Sequence, residues 1–374
     1  MADYDYGIYH IKISVVTPLH IGNGRTLLNE YDYAIHGGHT WRINEAALLD
    51  AQNVDDPRLA EQLARTPPKQ LLRTEDYEKP GSTVFRYVIQ GTPRSSAEGA
   101  QVREQMKDFS DQPYLPGTSL KGALRTALAW YAWEQKNLKP DMAKLDRRRE
   151  WAAQNYERDL FGATPNKSLL RALQVSDSKP ARKEDLMLLN VRVLNRDGSM
   201  GTPVELEAIR PDIVFEAELK FDWALFSDWA KEYGLHLTGE NWLRDLGEVV
   251  NRHSQARIAS ELAWYKTLPN AGWLAAFYER LNQSGMSERQ FLLQLGWGTG
   301  WEDKTFGSRL QADPGFMDKI IKDYHLTRSK RNPGDPFPKS RRVVMAYKRN
   351  AQGEIIGETP AYPLGWVLVE MEKT

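Results

Sequence analysis

Three short runs in this chain carry most of its capacity for chemistry. The first is Leu295-Gly296-Trp297-Gly298-Thr299-Gly300-Trp301-Glu302-Asp303-Lys304-Thr305-Phe306-Gly307. Glycines let a backbone pass through φ > 0 and approach another backbone closely. Successive exposed N–H groups in such a turn can cradle a phosphate. Trp297, Trp301 and Phe306 offer faces on which bases can stack, and Lys304 offers a charge for a phosphate. A tight turn carrying core aromatics explains the same residues without a ligand. The second run is Thr118–Arg125, a helix start with Thr118 or Ser119 as the cap. Its free N–H groups and positive dipole end favour an anion by about 0.3–1 kcal/mol at an exposed site, and Lys121 and Arg125 add to that field. A capped core helix with two solvated cations is the plain alternative. The third run, His20–Arg25, sets His20 between a strand end and the Gly22-Asn23-Gly24 turn. There an imidazole can meet phosphate or act as a general base. Glu30 and Asp32 follow, able to hold Mg²⁺ or take a proton from a ribose 2′-hydroxyl, or simply to solvate a hairpin edge.

Other chemistries lack their residues. Gly117–Gly122 has nucleotide-loop glycine spacing but continues Ala123-Leu124 where Lys-Ser or Lys-Thr is needed. No G-x-G-x-x-G links a strand to a helix, and no G-x-S-x-G elbow appears. His10, His36, His39, His236, His253 and His325 show no zinc spacing and read as surface or satisfied core residues. Zero Cys removes disulfides, thiolate zinc sites, iron–sulfur clusters and a Cys nucleophile. No cofactor and no metal are expected.

The elements that must position these runs read as α+β. Gly7–Thr17 alternates apolar and polar residues as a half-buried strand, ended by Pro18 and the Gly22–Gly24 turn. Tyr31–Trp41 reads as a hairpin around Gly37-Gly38, followed by a helix near Asn44–Ala51 with Asn44 as N-cap. Residues 52–112 are polar and weakly periodic, with a strand candidate at Thr83–Gln90, and read as a partly mobile insertion. Leu120, Ala123, Leu124, Ala127, Leu128 and Tyr131 then form one apolar helical face, and a second helix is expected over Lys144–Asp159. Strands follow at Leu186–Leu194 and Val204–Asp222, then helices at about Asn241–Tyr265, Ala271–Asn282 and Pro314–Tyr324. Arg342–Lys348 and Gly365–Glu370 would be the last strands. Strands and helices mix without a steady βαβ repeat.

At 374 residues and 42.8 kDa the chain exceeds one ordinary core and suggests two domains, divided here at residues 200 and 201. Its 50 basic and 50 acidic residues cancel, which rules out a globally basic grip on nucleic acid but not a local one. Cations do gather in residues 322–349: Lys322, Arg328, Lys330, Arg331, Lys339, Arg341, Arg342, Lys348 and Arg349 stand against Asp323 and Asp335. Pro333, Pro336 and Pro338 break this segment, so it is no single amphipathic helix; it is a candidate groove wall, or a solvated face. The longest charge-free stretches, Ile13–Gly24 and Gln290–Trp301, fall short of the roughly 20 apolar residues a membrane helix needs. Asp3 and Asp5 precede any apolar run, so no signal peptide is expected. These traits suit a soluble, cytoplasmic protein.

Several segments together resemble the RAMP superfamily of CRISPR–Cas RNA-binding proteins. They are Thr17-Pro18-Leu19-His20-Ile21-Gly22-Asn23-Gly24, Tyr114–Arg125 with its Leu-Pro-Gly-Thr-Ser-Leu-Lys-Gly-Ala-Leu-Arg stretch, Gln174-Val175-Ser176-Asp177-Ser178, and the Gly296–Gly307 loop. Chain length, Leu295–Gly307, Phe337–Arg342 and the closing Pro363-Leu364-Gly365-Trp366-Val367 make the chain most similar to the capping subunit of type III-A (Csm) complexes. The resemblance implies two ferredoxin-like (RRM-like) domains with helical insertions. One would span 1–200 with the 52–112 insertion. The other would span 201–374 with a helical insertion at about 235–290. It further implies a non-catalytic subunit in antiviral defence that caps a filament of repeated RAMP backbone subunits at the 3′ end of CRISPR RNA. Target RNA, the small subunit and a trimming nuclease would be further partners, with no membrane. His20, Asn23, Arg25, Lys121, Arg125, Gly296, Gly298, Gly300, Lys304 and Gly307 fall on motif positions that face or support RNA, and Lys339, Arg341 and Arg342 are basic candidates beside them. The alternative is a metal-dependent endoribonuclease using Asp32 or Glu30 with His20. However, Asn29-Glu30-Tyr31-Asp32-Tyr33 lacks the backbone subunit's pattern, and the Asn44–Ala51 helix lacks a processing enzyme's His. A general RRM-like module is a third reading, without an R/K-G-F/Y-G/A-F-V segment to support it.

Overall fold

A computed structural model describes residues 6–52, 65–79, 81–327, 331–352 and 355–374. Asp3, Asp5, Arg328, Lys330 and part of the 52–112 stretch lie outside the described residues. The strands are β1 (Tyr6–Val15), β2 (Gly22–Leu28), β3 (Tyr33–His36), β4 (His39–Ile43), β5 (Phe85–Gln90), β6 (Gln101–Gln105) and β7 (Leu173–Val175). They continue with β8 (Leu186–Asn195), β9 (Val204–Ile209), β10 (Val214–Asp222), β11 (Gln290–Gln294), β12 (Ser340–Arg349), β13 (Ile355–Tyr362) and β14 (Trp366–Lys373). The longer helices are α1 (Glu45–Asp50), α2 (Gly117–Gln135), α3 (Gln154–Phe161), α4 (Leu246–Lys266), α5 (Gly272–Gln283) and α6 (Pro314–Asp323).

The strands form two sheets. The smaller is antiparallel, in the order β11-β14-β1-β10-β7. The larger runs β2-β6-β9-β8-β5-β4-β3, with β12 paired to β8 and β13 to β12. Alternation decides which way β1 faces: Ile11, Ile13 and Val15 are buried while Ile8, His10 and Lys12 are exposed. The buried row joins Phe215, Leu219, Phe291, Val367 and Val369 against the Leu120, Leu124, Ala127 and Leu128 face of α2 in one core. This is the expected α+β architecture. Both sheets take strands from either side of residue 200, so we keep the two-domain division as a proposal about halves of the sequence rather than separate sheets.

Three expectations change in detail. Residues 52–112, read as an insertion, supply β5 and β6 to the larger sheet, β6 lying between β2 and β9. The long strand expected over Val204–Asp222 is two strands in different sheets, because the chain turns through Asp212 at φ 68°. Lys144–Asp159 is helical only from Gln154, after short 3₁₀ turns at Met142–Lys144 and Arg149–Trp151. Among the described residues no helix is long and apolar enough to cross a membrane.

The start of α2 also differs from the expectation. Neither Thr118 nor Ser119 caps it; the helix begins at Gly117 with Pro116 as N-cap. The Gly117 N–H donates instead to Asp177 Oδ1 at 2.7 Å, and the Leu115 N–H to Ser178 Oγ at 2.9 Å. Glycine is required at 117, since a Cβ there would stand 2.4 Å from the Val175 carbonyl. The two separate sequence motifs are thus one joint, and the dipole end already holds a carboxylate. Asp177→Ala should lower stability by about 1–2 kcal/mol and Asp177→Asn by less, read from urea midpoints. Equal losses would mean that the acceptor oxygen is not what matters.

Candidate nucleic-acid interface

Segments distant in sequence converge on one groove of about 1470 Å³. His20, Gly22 and Arg25 line it from the first loop, Ser119, Gly122 and Arg125 from α2, and Gly296, Trp297 and Lys304 from the glycine-rich loop. Backbone contacts fix the meeting. The Trp297 N–H donates to the His20 carbonyl at 2.7 Å, Leu295 N–H to Gly365 O at 2.9 Å and Gly365 N–H to Pro18 O at 3.0 Å. Gly296 sits at φ +85°, and a Cβ on it would lie 2.5 Å from the His20 carbonyl oxygen. Only glycine allows that approach.

Positive charge concentrates around Trp297, with Arg103 and Lys304 on the groove lining and Arg342 in a separate small pocket beside Gly298. Arg103, on β6, places its guanidinium carbon 5.0 Å from the Trp297 ring centroid, and Arg342, on β12, places its own at 4.9 Å. The indole attracts both cations. Among the described residues, none of Arg103, Arg342 and Lys304 forms an ion pair with a carboxylate. Burial lowers the pKa of Arg342, with the charge of Arg103 adding to the shift. Burial likewise lowers that of Lys304, with the charge of Arg342 adding. Like charges held together without a counter-ion make a place for an anion.

The remaining candidates divide. Arg25 and Arg125 reach the groove but are already paired, Arg25 with Glu104 at 3.7 Å and Arg125 with Glu157. Gly300 is open, with nothing within 4 Å of a Cβ, whereas Gly298 backs onto Leu364 and Gly307 onto Trp301. Asn23 braces its own turn, donating to Glu104 Oε2 at 2.8 Å and accepting the Arg25 N–H at 2.9 Å. Lys121 lies off the groove lining, and burial lowers its pKa. Trp301 packs on Phe337 and Phe306 stacks on Trp133 in the core, which leaves Trp297 as the groove's aromatic from this loop.

Two of the basic candidates in this segment are neutralised by carboxylates. Lys339 meets Asp335 at 2.5 Å. Arg341 turns inward to Glu261 at 2.8 Å and Glu302 at 3.3 Å, beside Arg257, which also meets Asp303 at 3.2 Å. Alternation along β12 sends Arg342 the other way, towards Trp297. Arg103 was missed because its stretch has little periodicity of its own. Gln101-Val102-Arg103-Glu104-Gln105 has a single apolar residue, so its alternation, with Arg103 exposed between buried Val102 and Glu104, shows only in the folded sheet.

His20 is 1% exposed at the groove floor. Its Nδ1 lies 2.6 Å from the Glu207 carbonyl, and its ring meets the Trp297 ring edge-on at 6.1 Å. Burial, helped by Arg103 and Lys107, lowers its pKa to about 4. It is therefore a neutral ring and supplies no charge to a phosphate. Glu30 and Asp32 are outside the groove lining, Glu30 paired to Lys69 at 2.8 Å and Asp32 to Arg42 at 3.4 Å.

Residues 12–303 match the family model of the RAMP superfamily. The chain is 24% identical over 320 residues to the CRISPR system Cms protein Csm5 of Methanocaldococcus jannaschii, covering 79% of this chain and 72% of that one. It is 25% identical over 240 residues to the Csm5 of Streptococcus thermophilus, covering 58% of this chain and 64% of the relative. Among solved structures it resembles a chain of the Csm–crRNA–target RNA ternary complex of a type III-A CRISPR–Cas system. That match has a TM-score of 0.72 and 24% identity, over 97% of this chain and 100% of the other. The crystal structure of T. onnurineus Csm5 matches at a TM-score of 0.62 and 22% identity, over 95% and 99%.

His20 makes the site sensitive to acid. Its folded pKa of about 4 lies below the 6.5 of the free side chain, so its contribution is present above pH 6.5 and lost as pH falls towards 4. The loss reaches about 3 kcal/mol. His20→Phe should flatten this part of the stability curve, measured as urea midpoints at pH 7.5, 5.5 and 4.5. An acid limb equal to that of the native chain would contradict the neutral, buried state.

Proposed function

The chain belongs to the RAMP superfamily, and from that premise we propose that it is a non-catalytic structural subunit of a type III-A CRISPR effector complex. It holds the 3′ region of a CRISPR RNA and caps the stack of repeated backbone subunits, in antiviral defence in the cytoplasm. The observation that carries this reading is the set of cations around Trp297: Arg103 and Lys304 on the groove lining and Arg342 against the same indole, none of them paired with a carboxylate among the described residues. Arginine and lysine grip phosphates whatever the base, which suits a guide whose sequence varies. Target RNA, the backbone subunit and the small subunit are its partners in this reading, with a trimming nuclease as a further one. Likeness to the Csm5 proteins and to a chain of the ternary complex supports the assembly; the groove supports the RNA.

A nuclease is the weaker reading. Glu30 and Asp32 are engaged by Lys69 and Arg42 away from the groove, and His20 is held neutral at its floor. Among the described residues no three His, Asp or Glu side chains gather as a metal site.

If about four phosphates are neutralised, affinity for single-stranded RNA should fall roughly 50-fold between 50 and 200 mM salt. Arg103→Ala with Arg342→Ala should reduce the slope of log affinity against log salt by about 1.4, at roughly 0.7 per lost phosphate contact. A flat salt response in the native chain would overturn the groove reading. Guide and target RNA incubated with the protein and Mg²⁺ should both stay intact. Cleavage abolished by Asp32→Ala would reverse the order of the two readings.

A further inference from the structure

The groove floor holds one acceptor with no donor. The Glu207 carbonyl, 2.6 Å from His20 Nδ1, can only accept, so Nδ1 carries the ring proton. The other nitrogen of a neutral imidazole is then a bare acceptor. Burial beside Arg103 and Lys107 keeps a second proton off the ring at neutral pH. Nε2 makes no hydrogen bond among the described residues. What stands over it is Gly22, whose missing side chain matters: a Cβ there would lie 2.9 Å from Nε2. His20 is 1% exposed, yet it and Gly22 both line the groove.

An acceptor in a groove walled by cations is the wrong chemistry for phosphate, whose oxygens also accept. On a single strand the available donors are the ribose 2′-hydroxyl, present on every RNA nucleotide, and base N–H groups, which vary with sequence. Arg103 and Lys304, which line the same groove as His20, would fix the phosphates of that strand beside the ring. Resting on the RNA-holding reading of this groove, we propose that His20 Nε2 accepts a ribose 2′-hydroxyl and so makes the groove prefer RNA to DNA. His20 is here a specificity residue, and Gly22 keeps the path to it open. The 2′-hydroxyl is the group by which a protein can tell the two polymers apart.

The test measures anisotropy of labelled single strands of uridine, adenosine and cytidine, each against its 2′-deoxy counterpart, with the full-length chain. The native chain should favour RNA roughly 3- to 10-fold for all three bases, the size of one net hydrogen bond. His20→Phe should bring RNA affinity down to that for DNA while leaving DNA affinity and the salt slope unchanged. Gly22→Ala should do the same with the imidazole still present, which covers the case that His20→Phe folds poorly. Equal native affinity for RNA and DNA with a steep salt response would overturn the role of His20 and leave the groove reading intact. Absence of salt-dependent binding to either polymer would overturn both. A preference confined to one base, or an equal loss of RNA and DNA binding in His20→Phe, would also overturn it. The first would make a base edge the donor, and the second would leave the ring only a packing role.

Discussion

The whole site depends on one backbone coming within a hydrogen bond of another. The Trp297 N–H reaches the His20 carbonyl at 2.7 Å, and it does so only because residue 296 has no side chain. The same short segment is tied on its other sides. Val16 N–H donates to Trp366 O at 2.9 Å, and Leu19 N–H to Ile209 O at 3.1 Å. Trp366 belongs to the smaller sheet and Ile209 to the larger. Residues 16–20 are therefore the joint between the sheets, and the glycine-rich loop is laid directly upon it. That places Trp297 beside His20 and brings Arg103 and Arg342 to the indole from two strands of the larger sheet. A side chain at 296 would part the loop from the joint and separate the cations from the floor.

Electrostatics in this neutral chain work by subtraction. Most cations near the groove are matched with carboxylates, several of them deep inside. Arg257 meets Glu261 at 2.7 Å, Glu302 at 3.0 Å and Asp303 at 3.2 Å, and Arg341 joins the same cluster. Below the groove, Lys107 meets Glu207 at 2.5 Å and Glu104 at 3.4 Å. Buried pairs of this kind add little net stability, because desolvation offsets their attraction. Their effect here is positional. Asp303 pins the glycine-rich loop to α4, and its pKa rises to about 6 through burial, with Glu261 and Glu302 adding to the shift against the pull of Arg257. Among the described residues Arg103, Arg342 and Lys304 are left without a carboxylate partner, and each adjoins Trp297 or its loop.

Local pattern made much of this readable in the chain. The alternation of β1, the hairpin at Gly37-Gly38, the Asn44 cap and the apolar face of α2 are all decided within a few residues, and each lies where the sequence places it. The glycine-rich loop and the His20 loop were also visible, because glycine clusters and a histidine beside a turn stand out by residue type. What could not be read depends on distant pairing. Arg103 becomes a groove residue only once β6 is seated between β2 and β9. The anion expected at the start of α2 turned out to be Asp177, sixty positions further along. Arg341 and Arg342 look equivalent in sequence, and the expected strand began at Arg342, one residue too late for alternation to separate them. Their fates differ because β12 puts one against α4 and the other against Trp297.

The seating of β14 beside β1 reaches into how the protein is made. Val15 pairs with Val367 and Tyr9 with Lys373, although Val15 and Val367 are 352 positions apart. A ribosome adding about 5–20 residues per second needs roughly 18–70 s to cover that distance. β10 can occupy one side of β1 much earlier, yet the opposite side has no partner until the last strand emerges. The nascent chain thus carries an open β edge, with Ile11 and Ile13 on its apolar row, for most of its synthesis. Translation speed, more than local propensity, sets when that edge becomes safe from mispairing.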